Sequence, residues 1–140
     1  MTKAKRSPRT LIDVLRGLMP APVREDLSEE GVLLTAGDPG LVAVRVSDHG
    51  VSVSVFGIRW DGPHTPIPDH RQLCYLAWEE LPAEEPEQAV VVDSLVRAAV
   101  VIRRARFREC RYCQRSMPPE WQHAPDVCQG CAERHLGVVH

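Results

Sequence analysis

Residues 31–60 read GVLLTAGDPGLVAVRVSDHGVSVSVFGIRW. Within them Val42, Val44 and Val46 alternate with Ala43 and Arg45, and Val51, Val53 and Val55 alternate with Ser52 and Ser54. A period of two sends successive side chains to opposite faces of a strand, so each segment has a valine face and a more polar face. Gly37-Asp38-Pro39-Gly40 and Ser47-Asp48-His49-Gly50 are turn signals, and they separate these two runs from each other and from Val32, Leu33, Leu34 and Thr35. Turns this short join antiparallel neighbours. The stretch therefore predicts a three-stranded antiparallel meander with one buried side.

Working toward the N-terminus, Leu11, Ile12, Val14, Leu15, Leu18 and Met19 recur at helical spacing from Thr10, until Pro20 and Pro22 stop the pattern. Residues 1–9 precede that helix and read as a basic flexible arm with Lys3, Lys5, Arg6 and Arg9. Glu25, Asp26, Glu29 and Glu30 form an acidic stretch ahead of the meander.

In the other direction, the stretch from Asp61 to Asp69 contains Pro63, Pro66 and Pro68 and reads as a loop. Leu73 to Trp78 fits either a strand or a helical turn, and an acidic, proline-broken link from Glu79 to Glu87 follows. Residues 88–107 form the longest helical candidate, with Val91, Val92, Leu95, Ala98, Ala99 and Ile102 on one broad face. Acids lie at its start and arginines at its end, which complements the helix dipole.

The C-terminal part changes character. Cys110-Arg-Tyr-Cys113 and Cys128-Gln-Gly-Cys131 are two CxxC pairs separated by 14 residues. A two-residue spacing lets both sulfurs of a pair turn onto one ion about 2.3 Å away, and a second pair completes a tetrahedron. Four soft thiolates suit Zn²⁺, and a site filled by four protein ligands is structural, with no position left for a reacting water. Cys74, between Leu73 and Tyr75, reads as a core thiol.

Ala132, Glu133, Arg134, His135 and Leu136 follow the second pair and stop at Gly137. A first CxxC on a turn, an extended segment, and a second CxxC opening a short helix resemble the treble-clef zinc finger, over about residues 108–140 only. Treble clefs serve as DNA-binding fingers, RNA-binding modules, ubiquitin-system adapters and nuclease scaffolds, so the resemblance implies an architecture and leaves the role open. Its HNH-like nuclease branch uses histidines at the hairpin end and on the helix, near the places of His123 and His135. The Asp-His pair and the helical Asn of that branch are missing here, so His135 reads as a surface or supporting group.

The fold class expected is thus α+β: a small antiparallel β-meander packed with helices over residues 10–107, followed by a treble-clef-like zinc module at residues 108–140. So short a module buries little apolar surface, and metal binding should supply most of its folding energy.

The 140 residues are 44% hydrophobic and 26% charged, with a net charge of −2. That excludes a uniformly basic nucleic-acid coat protein and a disordered acidic chain. The charge is segmented, however. From Arg97 to Arg115 there are seven arginines against the single acid Glu109, a local charge of +6. Arg103, Arg104, Arg106, Arg108, Arg111 and Arg115 are the candidate nucleic-acid-binding residues, and Arg134 joins them. Part of their charge could neutralise the thiolates through N–H···S contacts. Tyr112 and Trp121 could stack on bases or pack the finger core.

His64, Asp69 and His70 sit in the proline-rich loop with no partnering motif, and His140 is expected to be exposed. No phosphate cradle, serine elbow or dinucleotide fingerprint is present. The sequence therefore favours a non-enzymatic zinc-binding protein that contacts DNA or RNA through its arginines, and a protein-protein adapter is the alternative. An HNH-like nuclease ranks below both. No small-molecule substrate is evident. Cysteine use and the lack of a long apolar run point to a reducing, cytoplasmic setting without a membrane span.

Overall fold

The computed structural model describes residues 8–139. The expected arm and His140 lie outside them, except that Pro8 and Arg9 already belong to helix α1 (Pro8–Leu18). That helix begins two residues earlier than its apolar pattern indicates. Its buried residues Leu11, Ile12 and Leu15 are spaced as one face of a helix requires.

The meander is present and larger than expected. Strands β2 (Gly31–Ala36), β3 (Val42–Val46) and β4 (Gly50–Val55) are flanked by β1 (Val23–Ser28) and by a last strand β7 (Arg71–Ala77). The antiparallel sheet has the order β1-β2-β3-β4-β7. Leu34, Val44 and Val53 lie opposite one another across its centre, with Val46 opposite Val51 in the next row. All five are almost fully buried. They share one core with Leu11, Ile12 and Leu15 of α1 and with Val92, Val96 and Ala99 of the long helix α2 (Glu85–Arg104). The valine face is therefore the helix-covered face.

Each flanking strand corrects an expectation. In β1 a carboxylate, Glu25, stands opposite the buried Leu34, an inward position that a hydropathy pattern reads as non-strand. Arg9 of α1 binds it through both guanidinium nitrogens, at 2.5 and 3.2 Å, and Arg16 adds a contact at 3.2 Å. In β7 the pairing with β4 shifts register between Val53 and Ser54, so the strand carries one extra residue and its alternation is broken. That irregularity leaves Leu73 to Trp78 without the period of a regular strand. Cys74 stands opposite Val53 and is half-buried.

The proline-rich segment holds a two-stranded ribbon, β5 (Ile58–Trp60) and β6 (Pro66–Pro68), closed by Asp61 N–H to Thr65 O at 2.8 Å and Asp69 N–H to Gly57 O at 2.9 Å. Proline is tolerated there because a ribbon leaves each strand an outer edge that needs no donor.

Helix α2 runs from Glu85 to Arg104 instead of 88–107. Pro86 lies in its first turn, where a missing N–H costs nothing, so this proline starts the helix and does not belong to a broken link. At the other end Arg106 N–H to Arg103 O and Phe107 N–H to Arg104 O form tighter turns as the chain leaves. The buried stripe is Val92, Val96, Ala99 and Arg103, while Ala98 and Ile102 of the expected face are exposed. Among the described residues no helix is long and apolar enough to cross a membrane.

Candidate metal centre

Past α2 the chain forms a short hairpin, β8 (Arg108–Glu109) and β9 (Ser116–Met117), with Cys110 and Cys113 in its turn. Cys110 N–H bonds Arg115 O at 3.0 Å and Gln114 N–H bonds Cys110 O at 2.7 Å. Gln114 takes a left-handed φ of 62°, which reverses the chain tightly enough to bring both sulfurs to one side. A second hairpin, β10 (Gln122–Ala124) and β11 (Val127–Cys128), turns at Pro125 and Asp126. Helix α3 (Gln129–His135) follows at once, with Cys128 as its N-cap, and Gly137 ends it at a φ of 70°.

These elements bring the Sγ atoms of Cys110, Cys113, Cys128 and Cys131 within 4.8 Å of one another. A Zn–S distance of about 2.3 Å gives tetrahedral edges of about 3.8 Å; Cys113 Sγ lies 4.0 Å from Cys128 Sγ. Both spacing and donor chemistry fit one Zn²⁺ held by four thiolates. Cys110 and Cys131 are buried, while Cys113 and Cys128 are half-buried. The tetrad sits among Met117, Val127 and Ala132, a core too small to fold on apolar burial alone.

The sulfurs are hydrogen-bonded as thiolate ligands require. Cys128 N–H donates to Cys110 Sγ at 3.5 Å and Cys131 N–H to Cys128 Sγ at 3.4 Å. Arg134 donates a guanidinium N–H to Cys131 Sγ at 3.2 Å. Burial pushes the Cys110 thiol up, but the N–H groups of Cys113, Cys128 and Tyr112 outweigh it and bring it down to about 6. Cys131 goes the other way, pushed up to about 12 by burial and by the three neighbouring sulfurs. Four negative charges this close repel, and a dication removes the conflict.

The arginines divide into three kinds. Arg104, Arg106 and Arg115 are exposed and have no ion partner among the described residues. Arg108 and Arg111 are exposed but tied locally: Arg108 donates to the carbonyls of Ala105 and Phe107 at 3.0 Å, and Arg111 lies 3.9 Å from Asp126.

Arg103 is neither. It is 3% exposed, and its guanidinium makes a fork to Glu120, at 3.0 and 2.5 Å, while Nε donates to Gly40 O at 2.9 Å. Phe56 and Phe107 flank it, each with its ring centroid 5.3 Å away. Every face of that group is used, so Arg103 leaves the set of surface contacts expected from the sequence. Its spacing marked it, since it falls four residues after Ala99 and seven after Val96 on the buried stripe of α2.

Glu120, which nothing in the sequence singled out, is the meeting point. Its carboxylate holds Arg103, and its carbonyl accepts Trp60 Nε1–H at 3.0 Å and Gln129 Nε2–H at 3.2 Å. Sheet ribbon, long helix and cysteine-bearing segment are joined at this one residue.

The other candidates fall apart from the tetrad, which is the one group of three or more such metal ligands among the described residues. His70 is half-buried, and its Nδ1 accepts Gly57 N–H at 3.1 Å. Burial, then the charges of Arg103 and Arg45, hold its pKa below the usual imidazole value. His64 is exposed on the β5–β6 turn. The His135 ring stacks on Tyr112 with centroids 4.3 Å apart. Comparison with protein-family models, with curated proteins and with solved structures finds no match for the chain.

Proposed function

We propose that this is a non-enzymatic protein whose C-terminal segment is a treble-clef-like zinc module, and that the arginines around the module bind nucleic acid. The zinc-binding part rests on the tetrad of Cys110, Cys113, Cys128 and Cys131. The order of a CxxC turn, a β-hairpin and a helix capped by the second CxxC supports the treble-clef-like description. Zinc held by four thiolates has a structural role: it orders a segment that then displays its charges in fixed positions.

One observation carries the nucleic-acid reading. From Arg104 to Arg115 five exposed arginines stand against the single exposed acid Glu109, and three of them, Arg104, Arg106 and Arg115, have neither an ion partner nor a side-chain hydrogen bond among the described residues. A guanidinium fork matches a phosphate in a way an ammonium does not, and arginine is nearly the sole cation this chain uses. Arg103 supports this reading indirectly, because its buried pair fixes the end of α2 from which Arg104 and Arg106 project.

Binding of the zinc-loaded protein to labelled DNA and RNA, measured across a salt series, tests the proposal. Three phosphate contacts give a log-log slope of about −2 to −3, and R104A/R106A/R115A should remove most of it. Absence of salt-dependent binding to either nucleic acid would refute the reading and favour the protein-protein adapter.

A further inference from the structure

The two aromatic side chains of the module differ in what they have left to offer. Tyr112 is taken: its ring stacks on His135 with planes 8° apart, and the Arg111 guanidinium lies over it 5.0 Å from the centroid. Trp121 has no ring partner among the described residues and is 39% exposed. It is nonetheless held firmly. It ends the short 3₁₀ turn Pro119–Trp121, its N–H bonds Pro118 O at 3.1 Å, and the residue before it is the buried Glu120.

Trp121 lines a groove of about 270 Å³ whose other walls include Arg115, Ser116, Gln129 and Arg134 together with Cys113 and Cys128 of the metal tetrad, with no carboxylate among them. That volume lies just below the roughly 300–1,000 Å³ of drug-sized pockets, room for one ring system and its substituents. The polar groups are fixed or available. Gln129 gives its Nε2–H to Glu120 O, which orients the amide and leaves Oε1 as an acceptor. Arg134 spends one N–H on Cys131 Sγ and retains others, and Arg115 has no ion partner among the described residues.

We infer that this groove takes one unpaired nucleobase, stacked on Trp121, with the adjoining phosphate between Arg115 and Arg134. An indole flanked by Arg115 and Arg134 and free of carboxylates, beside thiolates whose charge the zinc and the Arg134 N–H···S bond offset, complements the flat ring and negative backbone of a single strand. A base inside a duplex has both faces covered and cannot stack there. The inference rests on the nucleic-acid reading and narrows it: the preferred partner is single-stranded.

The test uses the full zinc-loaded chain, mixed-sequence single-stranded DNA and RNA oligonucleotides, and a hairpin duplex of the same length. Single strands should bind more tightly than the duplex. W121A should weaken single-strand binding about 5- to 100-fold, as expected for losing one stacked base, and leave the duplex unchanged. W121F keeps a stacking face and should retain most of the affinity, while losing fluorescence quenching that Trp60 and Trp78 do not supply. Zinc content confirms that both variants are folded. Equal binding of single strand and duplex, indifferent to W121A but weakened by R104A/R106A, overturns the base site while leaving the arginine surface standing. Binding of neither overturns both, and the groove is then a contact for protein.

Discussion

Removing the Glu120 carboxylate from its buried pair with Arg103 should destabilise the protein far more than an exposed ion pair would. Both side chains are less than 5% exposed, the contact is a two-bond fork, and Arg103 Nε is committed to Gly40 O. With Glu120→Ala the guanidinium remains where water cannot solvate it, and losses of this kind run to about 3–5 kcal/mol. That is a large share of a typical folding stability of about 5–15 kcal/mol. With a urea m-value of about 2 kcal/mol per molar, the midpoint should fall by about 1.5–2.5 M.

Replacing both partners by apolar side chains of similar volume, R103M/E120L, should recover most of that loss, because no buried charge is left uncompensated. Equilibrium urea unfolding of the zinc-saturated protein, followed by tryptophan fluorescence, measures E120A, the single variants R103M and E120L, and the double variant R103M/E120L. A loss below about 1 kcal/mol for E120A would show that the pair is solvated. A double variant as unstable as the two singles combined would show that packing, and not charge, dominates. Zinc release should also quicken in E120A, since without the carboxylate's hold on Arg103 the segment whose Glu120 carbonyl accepts from Gln129 at the start of α3 is loosened.

Elemental analysis of protein purified under reducing conditions should find one zinc per chain, and C110S or C131S should abolish it; a content well below one in the wild type would refute the site. Zinc affinity should fall as pH falls, because a thiol held near 12, as Cys131 is, must give up a proton to bind metal. Gly17→Ala should stabilise by about 0.5–1 kcal/mol, since an added Cβ in α1 meets nothing within 4 Å, and a lowered melting temperature would contradict this. Gly50→Ala should do the reverse, because its Cβ would lie 2.2 Å from Leu76 O and force β4 from β7, visible as early exchange of amides on both strands. His70 stays neutral in the fold below the pH at which the unfolded chain protonates, about 6.5, so stability should decline as pH drops from there toward its lowered pKa. An NMR titration midpoint for His70 at or above 6.5 would refute that.

How much was legible beforehand depends on whether the cause was local. The central strands announce themselves through Val42 to Val46 and Val51 to Val55, because alternation is a property of consecutive residues. The zinc ligands are equally local, since two CxxC spacings fix where sulfurs can go. The edge strand β1 was hidden because Glu25 occupies an inward position, tolerable only when Arg9 and Arg16 arrive from another element. Strand β7 was hidden by one extra residue, and the β5–β6 ribbon by prolines whose outer-edge placement no local rule reveals.

The sequence by itself determined a sheet of valine strands, a long helix and a four-cysteine metal site, each from spacing within one segment. Tertiary structure alone decided which arginines are buried and which are exposed. Arg103 and Arg104 are adjacent, chemically identical and equally basic on paper. A turn of about 100° per residue sends one into a buried fork with Glu120 and leaves the other in solvent. Which side of that turn is buried depends on Gly40, Phe56 and Glu120, from distant parts of the chain, and no reading of the stretch around residue 103 contains them.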